Sequence, residues 1–138
     1  MQLTKNFWLD EFIESDFYDS ETQEKVWESY EKDKDKLLPN IQKLANQLQY
    51  VRDYIDEPIY INIGYRPRWY EIAQGRSGNS QHVYGKAADI RADETTPKLM
   101  YEIIEDLISK GEILQGGLGS PTYDTFTHYD IRKKRARW

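Results

Sequence analysis

Apolar positions along the chain alternate between helix-like and strand-like spacing, and the switches mark its elements. Phe7, Trp8, Phe12 and Ile13 predict a short helix over residues 7–13. A longer helix is expected from about Glu21 to Lys36, capped by Asp19, Ser20 or Thr22. It is heavily charged, with mixed-sign pairs at helical spacing, and reads as solvent-facing. Pro39 is expected to interrupt it and Asn40 to cap a new helix. There Ile41, Leu44, Ala45, Leu48, Val51 and Ile55 form one stripe at spacings of three and four, which predicts a core helix.

The pattern then shortens. Pro58 to Ile63 alternates and is β-branched, so it predicts a strand, left by Gly64-Tyr65-Arg66-Pro67-Arg68. Pro67 to Ala73 predicts a short helix, Gln74 to Ser80 a Gly-rich polar loop, and Tyr84 to Arg91 a second strand with a turn at Gly85. Thr95 or Thr96 caps a helix that has Pro97 in its first turn. Its buried face is expected to carry Leu99, Ile103, Ile104, Leu107 and Ile108, and Gly111 ends it. Leu114 to Gly119 and Phe126 to Arg132 read as two further strands around a turn at residues 120–124. Helices first, then strands with one late helix, predict an α+β fold: a small, largely antiparallel sheet flanked by helices.

Composition narrows the class. At 138 residues one domain is expected, with a core over residues 6–132 and a basic tail over 133–138. The absence of cysteine excludes disulfides and any cysteine-based zinc site. Eleven tyrosines and four tryptophans are expected to supply much of the core and to line a cleft. A net charge of −5 argues against nucleic acid as a partner. The run from Arg132 to Trp138 is the exception; it reads as a solvated end or one touching acidic groups of its own domain, with an anionic cell-wall polymer the other reading. The N-terminal residues have no signal-peptide pattern and no run reaches transmembrane length, so delivery to an external substrate would need another component.

The candidate chemistry gathers at the two histidines, the only ones present. His82 opens Ser80-Gln81-His82-Val83-Tyr84-Gly85-Lys86-Ala87-Ala88-Asp89-Ile90, and His128 lies in Phe126-Thr127-His128-Tyr129-Asp130-Ile131-Arg132. Two imidazoles and one carboxylate are the set a catalytic zinc takes when it keeps a position open. Strand alternation puts His128, Asp130 and Arg132 on one face, together with Phe126. A turn at Gly85 would return Asp89 toward His82, and Ala87 and Ala88 would permit close packing. Zinc polarises a carbonyl and acidifies a bound water, and a neighbouring carboxylate can act as general base. Structural histidines are the competing reading of the same spacing. The zincin motif HExxH is not present.

These stretches resemble the VanY-type zinc D-Ala-D-Ala carboxypeptidases and their phage endopeptidase relatives, which share a fold with hedgehog domains. The resemblance rests on Ser80-x-His82-x-x-Gly85-x-Ala87-x-Asp89-Ile90, on Phe126-x-His128-x-Asp130-x-Arg132, and on Gly64-Tyr65-Arg66 at a strand end; it runs from about Asn6 onward. It implies that His82, Asp89 and His128 hold Zn2+ and that Arg66 clamps a substrate carboxylate, for which a guanidinium offers two parallel donors. A surface salt bridge is the other reading of Arg66. Ser80 and Gln81 are expected to orient His82 or the substrate, and Arg132 to face the same cavity. Many relatives carry an acid three residues before the last ligand; here that residue is Thr125. Asp130 is then the first choice for general base and Asp124 the second, with a supporting role for Asp130 beside a ligand or Arg132 as the alternative. Ile63 stands where relatives often have Ser. The resemblance implies a monomeric hydrolase of peptidoglycan stem peptides, from a phage lysis or tail enzyme or a longer protein. A non-catalytic cell-wall-binding or virion module is the alternative, favoured by Thr125.

Overall fold

The computed structural model describes residues 1–119 and 124–138; the expected turn at Ser120 to Asp124 lies mostly outside them. A short helix α1 (Leu9–Ile13) opens the fold, its first turn closed by Glu11, which accepts from the Trp8 N–H at 2.7 Å. Helix α2 (Ser20–Ile55) follows, capped by Asp19, whose carboxylate accepts from the Thr22 N–H at 2.8 Å.

Helix α2 corrects one expectation. Pro39 does not end a helix and Asn40 does not start one; both lie inside a single 36-residue element. A proline removes one N–H and crowds the carbonyl four residues back, but does not forbid a helix whose apolar face is anchored on both sides. Val26 and Tyr30 are buried before the proline and Leu37, Ile41, Leu44, Ala45, Leu48 and Val51 around and after it. Helical geometry lapses at Asp33 instead (φ −116°, ψ 15°).

A five-stranded sheet lies against these helices among the described residues: β1 (Tyr60–Ile63), β2 (Ala87–Arg91), β3 (Gly117–Gly119), β4 (Thr127–Asp130) and β5 (Ala136–Arg137). Its order is β1-β2-β4-β3-β5, antiparallel except for the parallel β3–β5 pair. Strand β5 is unexpected, because the basic tail carries no apolar alternation. Main-chain pairing needs none, and Arg135 and Arg137 anchor it by ion pairs to Glu105.

Helix α3 (Arg68–Ala73) leaves β1, and α4 (Pro97–Ser109) covers β3 and β4. Thr96 caps α4 through the Leu99 N–H, while Thr95 donates to Glu57 at 2.6 Å. The buried face of α4 is Met100, Ile104, Leu107 and Ile108. Leu99, expected there, is 45 % exposed and Ile103 only half-buried; the stripe is rotated by one residue at its start.

Candidate metal centre

Each of the three potential donors is placed by a different device. Asp89 and His128 face each other directly across the β2–β4 ladder, and such opposed residues on one sheet face are close neighbours. His82 comes from outside the sheet, on a 3₁₀ turn over Gln81–Tyr84. Gly85 closes that turn at φ 70°, a conformation costly for residues with a Cβ, and a Cβ there would meet Ile41 Cγ1 at 3.0 Å. Helix α2 supports the turn from below, where the Asn40 side-chain amide donates to the Tyr84 carbonyl at 2.9 Å.

The structure thus brings His82, Asp89 and His128 together, with one ligand atom from each lying within 4.8 Å of the others. Asp89 Oδ1 is 3.4 Å from His82 Nε2 and 3.1 Å from His128 Nδ1. The histidines are 2 % and 8 % exposed, and their rings meet edge to face at 5.2 Å. The outer nitrogen of each ring is engaged: His82 Nδ1 donates to the Gly64 carbonyl and His128 Nε2 to Asp130 Oδ2, both at 2.7 Å. Those bonds fix the tautomers that leave His82 Nε2 and His128 Nδ1 directed at Asp89. Burial opposes charge on Asp89, but hydrogen bonds from N–H groups of His128 and His82 outweigh it and hold the carboxyl well below its usual range; a divalent ion bound there would replace those protons and take the nitrogen lone pairs. For His128, burial is likewise outweighed by Asp130 and Asp89, and its pKa is raised. Two imidazoles, each with its outer nitrogen braced, and a carboxylate held deprotonated fit a tetrahedral divalent site with one position to spare.

The donors open onto a cavity of about 330 Å³. Arg66, Ser80, Gln81 and Arg132, all expected from the sequence, line it. Arg66 is 9 % exposed and its Nε donates to Glu71 at 2.8 Å, while its Nη groups make no hydrogen bond among the described residues. Glu71 is fully buried and also accepts from the Ser80 hydroxyl. Burial would raise its pKa, but the bonds from Ser80 and Arg66 prevail and lower it. Sequence reading passed over Glu71, Arg76, Asn79 and Trp138; a lone acid five residues after Arg66 in a short helix was the available sign for the first.

The two candidate bases do not reach this cavity. Asp130 is fully buried behind His128, where its carboxylate accepts from His128, from the Gly117 N–H at 2.8 Å, and from the Arg132 N–H, Nε and Nη2. Asp124 is exposed and lines a separate cavity with Ile90, Thr95 and Met100. Among the described residues Asp89 is the only carboxylate in the lining. A larger cleft of about 580 Å³ between α1 and β1 holds acids but no histidine.

The sequence model of the Peptidase M15 family matches residues 15–130, and the chain belongs to that family, the VanY/D-Ala-D-Ala carboxypeptidase-type metallopeptidases. The α+β sheet and its flanking helices are consistent with the fold of those enzymes, which are zinc-dependent. No curated protein sequence matches the chain significantly. No helix among the described residues is long and apolar enough to cross a membrane.

Proposed function

We propose that this protein is a zinc peptidase that hydrolyses peptidoglycan stem peptides, at D-Ala-D-Ala or a related bond. The observation that carries the reading is the juxtaposition of His82, Asp89 and His128 with a buried, Glu71-held Arg66 in one cavity. In this reading His82 Nε2, the Asp89 carboxylate and His128 Nδ1 hold zinc, which supplies Lewis acidity to the scissile carbonyl and the attacking water. Arg66 presents its Nη edge to a substrate carboxylate, and the Glu71 bond fixes the plane of the guanidinium before substrate arrives. Ser80 is tied to the same acid and, with Gln81, lines the approach to His82. Asp130 serves as the positioning residue for His128, since its oxygens are taken by five donor groups. Asp124, which lines a separate cavity, is the remaining acid this reading assigns to proton transfer. A monomer acting on this substrate without nucleic acid or a membrane span completes the proposal.

The experiment is metal content and cleavage of purified peptidoglycan on one preparation, beside His82→Ala. One zinc per chain with cleavage abolished in the variant is the expected result. The second reading, a wall-binding module that keeps fold and metal without turnover, is favoured by one observation: no second carboxylate lines the cavity among the described residues. Zinc and peptidoglycan binding with no cleavage of any stem peptide would select it.

A further inference from the structure

A second cavity, of about 510 Å³, shares two chain segments with the metal centre. Arg66 and His82 line the metal-side cavity, while Pro67 to Trp69 and Val83-Tyr84, which follow them directly, line this groove together with one side of α2. Two of its aromatic rings are pinned at an edge. Trp69 Nε1 donates to the Ser29 hydroxyl at 2.8 Å, and the indole meets Tyr70 edge to face at 6.1 Å. The Tyr84 hydroxyl accepts from Arg68 Nη2 at 3.4 Å, and the Tyr84 carbonyl accepts from the Asn40 amide. Trp69 is 41 % and Tyr84 39 % exposed, so held rings are offered to the groove.

Tyr65 supplies an independent observation. It is only 5 % exposed, it lines the same groove, and its hydroxyl makes no hydrogen bond among the described residues. A buried hydroxyl is costly to leave unbonded, so one at a cavity wall is a ready partner for a ligand. Burial, and then the Asp33 carboxylate, push its pKa up to about 12, which keeps it a neutral donor.

The polar groups around the rings decide the class of ligand. Lys32, Lys36 and Arg68 are donors with no ion pair among the described residues, whereas Ser29, Asp33 and Tyr65 offer acceptors. The Asp33 carboxylate in the lining opposes a simple anion, and an apolar peptide side chain would leave all these groups unpaired. A sugar ring suits both features: its C–H face packs on an aromatic face, and its hydroxyls donate and accept. Donors outnumber acceptors here, which favours rings that carry an additional carbonyl, as an acetamido group does. We propose that this groove is a saccharide site for chains of N-acetylated amino sugars. Trp69 and Tyr84 are its stacking platform, and Tyr65, Asp33 and Lys36 hydrogen-bond the ring substituents. The site uses none of the metal donors and stands without the peptidase reading.

The test titrates tri-N-acetylglucosamine into zinc-loaded and metal-free protein, followed by calorimetry and by the indole N–H signals in NMR spectra. Absence from the Trp69→Phe spectrum identifies the Trp69 signal. Wild type binds the sugar equally in both forms, and the Trp69 signal shifts while that of Trp27, whose indole is bonded to Glu14, stays in place. Trp69→Ala weakens binding by about tenfold, the scale of a lost aromatic contact. Tyr65→Phe weakens it by about fivefold with unchanged urea unfolding, since the hydroxyl bonds nothing among the described residues. No sugar bound by wild type, wild-type affinity in either variant, or displacement of the sugar by inorganic phosphate overturns the proposal. Sugar binding that persists without cleavage of any stem peptide supports the groove and counts against the peptidase reading alone. Cleavage without sugar binding overturns the groove and leaves that reading standing.

Discussion

Asp130→Asn isolates the partner of His128 with hardly any change in shape. The carboxylate accepts from five donor groups, at 2.7 Å from His128 Nε2, 2.8 Å from the Gly117 N–H, and 3.1, 2.9 and 2.8 Å from the Arg132 N–H, Nε and Nη2. A carboxamide has one accepting oxygen. If it stays toward the Gly117 N–H and the Arg132 N–H and Nε, the new NH₂ group confronts Arg132 Nη2 and faces His128 Nε2, which must then accept, so the proton moves to Nδ1. The ring then presents a donor, not a lone pair, toward Asp89 and the metal position. If the amide turns over, its NH₂ confronts the Gly117 and Arg132 N–H groups instead. Breaking a buried pair costs about 3–5 kcal/mol, but the Arg132 side chain is 33 % exposed and recovers water, so the lower end, about 3 kcal/mol, is expected. For a domain of this size that corresponds to a melting point lower by roughly 10 °C. Losing the partner that fixes a ligand tautomer should weaken zinc by about 10–100-fold. Urea unfolding and zinc competition against a chromophoric chelator measure the two effects separately. Wild-type zinc affinity in a folded Asp130→Asn protein would refute the tautomer argument, whatever happens to stability.

Glu71→Gln should raise KM for substrates with a free carboxylate by about tenfold with a smaller change in kcat, because Arg66, the proposed carboxylate clamp, loses its brace; substrate-series kinetics check this. Asp124→Asn should lower kcat at unchanged zinc content if Asp124 transfers the proton, and steady-state kinetics with metal analysis decide it. Glu105 is held at about 2, below its ordinary 4.5, by hydrogen bonds from Arg137 and then Arg135, with burial opposing. Its stabilising contribution is therefore full above pH 4.5 and lost as pH falls toward 2; it is of order 1 kcal/mol for such a solvent-screened pair. Glu105→Gln should flatten that part of the acid-unfolding curve followed by circular dichroism. Gly85→Ala should destabilise by about 1–2 kcal/mol, read by urea unfolding, since φ 70° and the Ile41 contact both oppose a Cβ.

The parts of the fold legible from sequence are those encoded by neighbours. The Ile41-to-Val51 stripe, the alternation before Ile63 and the Thr96-Pro97 start of α4 are local patterns, and each reappears at its predicted place. What failed depends on partners distant in sequence. Pro39 looks like a stop until Tyr30 and Leu37 are seen buried on both sides of the kink at Asp33. The residues 136–137 look like tail because β3 and Glu105, which hold them, lie elsewhere in the chain.

The candidate site divides the same way. The motif spacing singled out His82, Asp89 and His128, but only the β2–β4 register explains why Asp89 faces His128, and only Asn40 and Gly85 explain how His82 reaches them. Strand alternation put Asp130 on the face of His128, and the 2.7 Å bond between them agrees. Alternation fixes a face, however, and not a depth. Strand β3 reaches Asp130 from its far side through the Gly117 N–H, and Arg132 folds back over the same carboxylate. Catalytic access at a strand position is decided by what the neighbouring strand places over it. A carboxylate two residues from a ligand is therefore as readily the ligand's support as the reaction's base.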